Sequence, residues 1–176
     1  MKIRVSSVQY HLHTIQSFEE FAQQCEHYVK AALEFDAEFI LFPEFLTTQL
    51  LSIKDANGTM LTINDLPSFT EPYRNLFSSF AKRYNVHIIG GTHVIEINGQ
   101  LQNTAHLFYP DGQIKMQAKL HITPTEVHEW NMAAGHTLEV FDTVKGKIAL
   151  LTCYDIEFPE IVRMAKAKGA DIIFCP

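Results

Sequence analysis

The chain has 176 residues, of which 47% are hydrophobic and 19% charged, and its formal net charge is −6 at pH 7. This composition is that of a globular domain and argues against disorder, collagen-like repeats and coiled coils. The acidic balance and the lack of a dense Lys/Arg cluster argue against nucleic-acid binding, and no apolar run is long enough to predict a membrane-spanning helix.

The first half of the chain alternates between strand and helix patterns. Its predicted elements are a strand at 2–10, a helix at 18–33, a buried strand at 37–42, a long loop with short helical pieces at 46–69 and a helix at 70–84. Ser17, with Glu20 three residues later, is typical of a helix N-terminus. Pro43 ends the second strand because its ring nitrogen cannot donate to a central sheet ladder.

The second half begins with consecutive strands and then returns to strand–helix alternation. Its predicted elements are strands at 86–97, 101–109 and 114–118, an irregular stretch at 119–137, strands at 138–141 and 148–152, a helix at 159–168 and a strand at 170–175. Asn98-Gly99 between two apolar runs is a strong hairpin signal, and Pro159 suits a first helical turn. This order predicts an α/β fold in which helices pack on mixed sheets.

A segment near the start of the chain is similar to the last segment. Residues 29–43 align without gaps to residues 162–176, and both combine the end of a helix, a tight turn and a buried strand that closes with proline. Two interpretations are open. Any helix followed by a parallel strand gives such a pattern, or the segments belong to a repeat whose second copy is cut short before a counterpart of Glu44.

Three candidate catalytic residues stand where predicted strands end, namely Glu44, Lys119 and Cys153. Ligands gather at such strand ends in α/β sheets. Cys153 lies at a strand-to-helix turn, which exposes a nucleophile and is expected to lower the pKa of its thiol. Glu44 lies between Phe42 and Phe45, an apolar setting that suits a general base, and Lys119 can stabilise developing negative charge. Taken singly, each has an ordinary alternative: a loop glutamate, a surface lysine and a buried apolar cysteine.

Other polar residues offer alternatives to this set. Glu126 and Glu129 lie in the irregular stretch, and either can supply a second carboxylate to the site. His121 and Asp155 could instead combine with Cys153 in a Cys-His-Asp triad.

Three motifs taken together resemble those of the nitrilase superfamily of carbon–nitrogen hydrolases. They are Phe42-Pro43-Glu44, Lys119-Leu120-His121 and the run Cys153-Tyr154-Asp155-Ile156-Glu157-Phe158-Pro159-Glu160. They occur in the family's order, each at the end of an expected strand, and residues 5–9 also resemble the family's first strand. The resemblance implies a four-layer α-β-β-α sandwich. Because the family's hydrolase domain is longer, residues 1–176 are expected to form a single hydrolase domain that is incomplete at its C-terminus.

The resemblance also implies roles for individual residues. Glu44 would be the general base, Lys119 the cation that stabilises the oxyanion, and Cys153 the nucleophile. Glu126, rather than Glu129, would be the second glutamate found in the family's amidases. The implied reaction is hydrolysis of a small-molecule amide, less readily of a nitrile or carbamoyl compound, through a thioester on the cysteine.

The same resemblance bears on the pocket and on cofactors. Tyr154 would supply a backbone donor to the oxyanion, and Trp130, Tyr154 and Phe158 would line the substrate pocket. No metal and no organic cofactor is implied. His11 and His13, on one face of the predicted first strand, form only a weak metal-ligand pattern.

The expected assembly and location follow from less specific observations. Family members commonly pair through the helix after the nucleophile, here 159–168, so a homodimer or larger oligomer is expected. Three cysteines, an odd number, and an N-terminus without signal-peptide features favour the cytoplasm. The alternative function is that of a catalytically inactive chain, or one half of a split assembly that acts as a binding partner.

Overall fold

Two β-sheets form the centre of the fold in the computed structural model, which describes residues 2–176. The first sheet has the strand order β1-β2-β3-β4-β5: β1 (Val5–Ser7), β2 (Phe39–Leu41), β3 (His87–Ile97), β4 (Gln100–Phe108) and β5 (Ile114–Ala118). Its first three strands are parallel, and β4 and β5 pair antiparallel with their neighbours. The second sheet comprises β6 (Phe141–Thr143), β7 (Gly146–Leu150) and β8 (Ile172–Phe174), of which β7 and β8 are parallel.

Helices flank both sheets. They are α1 (Phe18–Leu33), α2 (Thr70–Tyr84), α3 (Pro124–His128) and α4 (Pro159–Ala167), with 3-10 turns at Leu46–Ser52, Ile63–Phe69 and Cys153–Glu157. The predicted start of α1 is confirmed, since the Ser17 hydroxyl accepts from the Glu20 N–H at 3.3 Å. Among residues 2–176, no helix has the length and apolar character needed to cross a membrane.

Alternation along the strands builds the layers. Ile40 and Ile88 face α1 and α2, whereas their neighbours Phe39 and Ile89 face the second sheet. On β7, Ile148 and Leu150 face the first sheet. Ala149 and Leu151 face the other way and pack on α4. Because successive strand residues point to opposite faces, both sheets are covered on both sides. The predicted α/β class and four-layer α-β-β-α sandwich are confirmed.

One predicted strand was misplaced. The pattern predicts a strand at 138–141, but β6 begins at Phe141. The Gln117 side chain satisfies backbone groups that precede β6. Its Nε2 donates to the Thr137 carbonyl and its Oε1 accepts from the Glu139 N–H, each at 2.8 Å. These groups are therefore satisfied without a strand partner. The predicted strands at 2–10, 37–42 and 170–175 also form only over their central residues.

The two similar segments share one turn geometry. Asp36 and Gly169, which correspond in the alignment, both have positive φ, 53° and 97°. Ala37 donates to the Ala32 carbonyl after the first helix, just as Ala170 donates to the carbonyl of Ala165 after the last. Both segments thus join a helix to a parallel strand through the same backbone turn.

Candidate active site

The turn that carries Glu44 is fixed by the neighbouring strand β3. Phe45, with φ 53°, donates its N–H to the Thr92 hydroxyl at 2.7 Å. Gly91 has φ +70°, and a Cβ built on it would lie 2.1 Å from the Pro43 carbonyl oxygen. The β3 register shifts at this point. Glycine therefore lets the Glu44 turn pack directly on the backbone of β3.

Lys119 projects inward from the end of β5. Its N–H donates to the Asn103 carbonyl and its carbonyl accepts from the Gly135 N–H, both at 2.8 Å. Its side chain is only 1% exposed, and Nζ donates to Glu44 Oε1 at 2.8 Å and to Glu126 Oε2 at 2.7 Å. One buried ammonium thus joins two carboxylates that are distant in sequence.

Glu126 reaches Lys119 because of how α3 begins. Thr123 caps this helix, its hydroxyl accepts from the Glu126 N–H, and Pro124 occupies the first helical turn. Glu126 Oε2 in return accepts from the Thr123 N–H and hydroxyl, both at 2.8 Å. This capping box turns the glutamate side chain inward, where it is 1% exposed.

A further residue links the two glutamates. Asn103, buried on β4, donates from Nδ2 to Glu44 Oε1 and to Glu126 Oε1, each at 2.8 Å. Its side-chain oxygen Oδ1 is buried without a hydrogen-bond partner among residues 2–176. Glu44, Lys119, Glu126 and Asn103 form one connected polar cluster, called the carboxylate–lysine cluster below.

The cluster keeps its charges. Burial acts to lower the pKa of Lys119, but the hydrogen bonds and charges of Glu126 and Glu44 outweigh it and raise that pKa above its ordinary value. Burial acts to raise the pKa of Glu126, but hydrogen bonds from Lys119, Thr123 and Asn103 outweigh it and hold that pKa below its ordinary value. Lys119 and Glu126 are therefore both ionised at neutral pH.

Cys153 stands on an exposed turn after β7. Its φ is 44°, and its N–H donates to the Pro176 carbonyl at 3.0 Å. That N–H is therefore engaged by a backbone partner, and the next residue along the turn is Tyr154. Among residues 2–176, six residues other than glycine have positive φ, and four of them are Asn or Asp, which tolerate it; the other two are Phe45 and Cys153.

Asp155 holds the Cys153 turn against the Lys119 loop. Its fully buried carboxylate accepts from the Thr152 N–H through Oδ2 at 3.0 Å. Oδ1 accepts from the N–H groups of Leu120 and His121, at 3.1 and 2.7 Å. The carboxylate therefore ties the ends of two strands from different sheets to each other.

The expected lowering of the thiol pKa is wrong. Burial and the negative charge of Glu44 raise the pKa of Cys153 to about 11, and the opposing effect of Lys119 is smaller. The segment that begins at Cys153 is a five-residue 3-10 turn, and the α-helix starts only at Pro159. The thiol is therefore protonated at neutral pH, and a base is needed to activate it.

The alternative residues lie in different surroundings. Glu129 is exposed, whereas Glu126 is buried against Lys119. His121 Nδ1 lies 3.0 Å from Asp155 Oδ1, and the His121 ring stacks on Phe158 at 3.9 Å between centroids. The charged groups that shift the pKa of Cys153 include Glu44 and Lys119.

The three aromatic residues predicted to line the pocket fall into two groups. Trp130 packs edge-on against Phe45, with centroids 5.2 Å apart, on the Glu44 side. Tyr154 and Phe158 pack against each other at 5.1 Å on the Cys153 side. A cleft of about 710 Å³ lies elsewhere, at the opposite ends of β2 and β3, where His87 and Tyr109 contribute to its lining.

Sequence reasoning missed Asn103 and the contact made by Gly91. The available signals were an asparagine within an apolar strand and a Gly-Gly pair that interrupts one. No group of three potential metal-ligating side chains was found in the described part of the chain, residues 2–176. The rings of His11 and His13 stack on each other at 6.0 Å.

Comparison with known proteins identifies the family. Residues 4–175 match the family model for carbon–nitrogen hydrolases, so the chain belongs to that family. The probable hydrolase YhcX of Bacillus subtilis is 48% identical over 174 residues, which cover 99% of this chain and 34% of that protein. Omega-amidase NIT2 of Xenopus tropicalis is 26% identical over 183 residues, which cover 99% of this chain and 63% of that protein.

Solved structures show the same fold. Saccharomyces cerevisiae Nit3, of branch 10 of the nitrilase superfamily, aligns with a TM-score of 0.78 at 20% identity, over 99% of this chain and 64% of that one. An amidase from Nesterenkonia sp. AN1 in complex with butyramide aligns with a TM-score of 0.76 at 20% identity and the same coverages. The resemblance to carbon–nitrogen hydrolases is confirmed by the family match, and these structures confirm the nitrilase fold. The chain spans between a third and two thirds of the length of these proteins.

Proposed function

We propose that the protein hydrolyses a small amide through a thioester on Cys153, with Glu44 as general base and Lys119 as the cation of the oxyanion site. One observation carries this proposal: a buried ammonium is fixed to Glu44 beside an exposed cysteine whose thiol pKa responds to both groups. Nucleophile, base and cation are the three parts that acyl transfer through cysteine requires.

The first half of the reaction forms the thioester. Since the thiol of Cys153 is protonated, Glu44 takes its proton while the sulfur bonds to the amide carbon. The carbonyl oxygen becomes an oxyanion, which Lys119 and the Tyr154 N–H stabilise. The proton on Glu44 then passes to the leaving nitrogen, the carbon–nitrogen bond breaks, and ammonia or an amine departs.

The second half releases the acid. Glu44, again ionised, takes a proton from water as the water oxygen bonds to the thioester carbon. The carbon–sulfur bond of the resulting intermediate breaks, and the sulfur recovers a proton from Glu44. A carboxylic acid leaves and Cys153 returns to its thiol form, so one water molecule is consumed in each cycle.

Glu126 is proposed to support this chemistry without carrying a proton. Both of its oxygens accept hydrogen bonds, and its pKa is held below the ordinary value. Because it is ionised and buried against Lys119, it keeps that lysine charged and aimed at the site. Glu44, with a side chain 17% exposed, is the carboxylate that water and substrate can approach.

The proposed substrate is a small amide, with nitriles and carbamoyl compounds less favoured. Omega-amidase NIT2 and the butyramide-binding amidase are relatives whose names refer to amide substrates. Trp130 on one side and Tyr154 with Phe158 on the other are proposed as pocket walls. No metal or organic cofactor takes part in the proposed reaction.

Assembly and location stay predictions. A homodimer or larger oligomer is proposed to form through α4, near which Met164 and Ile156 are 51% and 47% exposed. A cytoplasmic location is proposed because the chemistry needs a free thiol and Cys25, Cys153 and Cys175 are all unpaired in residues 2–176.

Ammonia release from a panel of small amides by the full-length protein tests the proposal, with intact mass measured during turnover. We expect ammonia release and a transient acyl adduct in the native protein and in Cys175→Ala, and neither in Cys153→Ala. Undiminished ammonia release by Cys153→Ala would refute Cys153 as the nucleophile. A native protein without turnover or adduct on any amide would favour the inactive or split-assembly alternative.

A further inference from the structure

We propose that Asn103 is a positioning residue that directs one oxygen of Glu44 toward Cys153. The proposal rests on the function proposed above, in which Glu44 is the base. Nothing in the chemistry of that reaction requires a third polar side chain behind the two glutamates. The structure nevertheless places a fully buried amide there, in contact with both.

The geometry fixes how this amide is oriented. An asparagine NH₂ has two hydrogens, and the two carboxylate contacts of Asn103 Nδ2 use both. The reversed orientation would set the amide oxygen against two carboxylate oxygens, which repel it, so the hydrogen-bond network assigns the amide. Oδ1 has no partner among residues 2–176. The stabilisation from the two hydrogen bonds to the glutamates thus exceeds the cost of leaving Oδ1 unsatisfied.

The amide makes the two oxygens of Glu44 different. The hydrogen bonds that residues 2–176 donate to this carboxylate, from Lys119 Nζ and Asn103 Nδ2, both end on Oε1 at 2.8 Å. Oε1 is therefore committed to the carboxylate–lysine cluster, and Oε2 is the oxygen available to accept a proton. A carboxylate held through one oxygen cannot rotate freely, so Oε2 keeps its direction during the reaction.

The backbone of Asn103 serves the same arrangement. Its carbonyl accepts the Lys119 N–H at 2.8 Å, directly beyond the last pair of the β4–β5 ladder. One residue therefore sets Lys119 through its main chain and Glu44 and Glu126 through its side chain. The β4–β5 register thereby positions the three charged groups relative to Asn103.

A neutral donor suits this position because it stabilises negative charge without adding charge. Asn103 gives each of the two carboxylates a hydrogen bond in addition to the one from Lys119. Loss of the amide should therefore free Glu44 to turn about its remaining hydrogen bond from Lys119.

The test compares Asn103→Asp and Asn103→Ala with the native full-length protein, each confirmed as folded by thermal denaturation. We expect kcat to fall roughly ten- to hundred-fold, with KM changed by less than about three-fold, since a hydrogen bond to a charged group is lost. Thr104→Val, which alters a buried polar residue next to Asn103 on β4, serves as the matched control and should keep both values.

The outcomes separate this inference from the proposed function. A folded Asn103→Asp variant with native kcat would overturn the positioning role, as would a fall in kcat that Thr104→Val shows equally. If Asn103→Ala does not fold, Asn103→Asp decides alone, because it matches the native side chain in size. Native turnover by Glu44→Gln would instead refute the proposed base itself.

Discussion

The turns that carry Glu44 and Cys153 differ in how far each exposes its side chain. The Glu44 carboxylate is held inside the carboxylate–lysine cluster, where its partners Lys119 and Glu126 are 1% exposed. Cys153 is exposed, and its turn is fixed from behind by the buried Asp155. The charged groups are thus set before any ligand arrives, whereas the proposed nucleophile can be reached from outside.

This difference separates the part of the site that fixes charge from the part that presents the thiol. Preorganised charge stabilises a transition state because no reorientation is needed during the reaction. The first sheet supplies that charge, and the second sheet supplies only a reactive atom at a fixed position. Damage to the Glu44 turn should therefore change the electrostatics of the site, while damage to the Cys153 turn should change the position of the sulfur.

The largest effect is expected when the cluster loses its cation. Lys119→Met leaves Glu44 and Glu126 as neighbouring carboxylates without a counter-ion, so turnover should be lost and unfolding should become easier by about 3–5 kcal/mol. Chemical denaturation and ammonia release measure both. The control is Lys147→Met, which breaks an exposed pair with Asp142 at 3.6 Å and should cost under about 1 kcal/mol. Equal stability losses in the two variants would show that Lys119 does not stabilise the carboxylate–lysine cluster more than an exposed lysine stabilises its own ion pair.

The next effect concerns the support of the Cys153 turn. In Asp155→Asn, an NH₂ replaces one acceptor oxygen, so at least one of the N–H groups of Thr152, Leu120 and His121 loses its partner. We expect a loss of about 1–3 kcal/mol in the free energy of unfolding, together with reduced turnover. Denaturant unfolding and ammonia release measure these, and the exposed turn variant Asp111→Asn is the control. Native turnover in Asp155→Asn would contradict a positional role for this carboxylate.

An effect of similar size should follow from crowding the Glu44 turn. Gly91→Ala adds a Cβ against the Pro43 carbonyl at a positive φ, so the turn must shift, at a cost of about 1–3 kcal/mol. Gly99→Ala is the matched control, because Gly99 has φ +77° but no atom within 4 Å of the added Cβ. Stability and turnover of both variants separate backbone strain from the contact. Similar turnover in the two would show that the contact does not position Glu44.

The smallest effect is a change in thiol reactivity. Because the Glu44 carboxylate raises the pKa of Cys153, Glu44→Gln should lower that pKa from its value of about 11. A larger thiolate fraction at pH 8–9 should then speed alkylation of Cys153 by iodoacetamide, although turnover falls. The alkylation rate against pH measures this, with the exposed variant Glu129→Gln as control. Slower alkylation in Glu44→Gln would show that the carboxylate assists the thiol even without substrate.

The sequence was sufficient for what depends on local pattern. Glu44, Lys119 and Cys153 could each be placed at a strand end, because strands and their stops leave clear signals. The contact of Asn103 with Glu44 could not be predicted, since it joins residues 59 positions apart across β3. The direction of the Cys153 pKa shift was missed for the same reason, since it depends on burial of the thiol and on a carboxylate carried by the other sheet.

The positive φ of Cys153 has a consequence for how this position responds to selection. A side chain in the left-handed region costs about 1–2 kcal/mol, and glycine would remove that cost. Selection for thermal stability alone would therefore favour glycine at residue 153, whereas the proposed reaction requires a cysteine there. Engineering a more stable form of this protein should leave that strain in place and seek its gains at other residues.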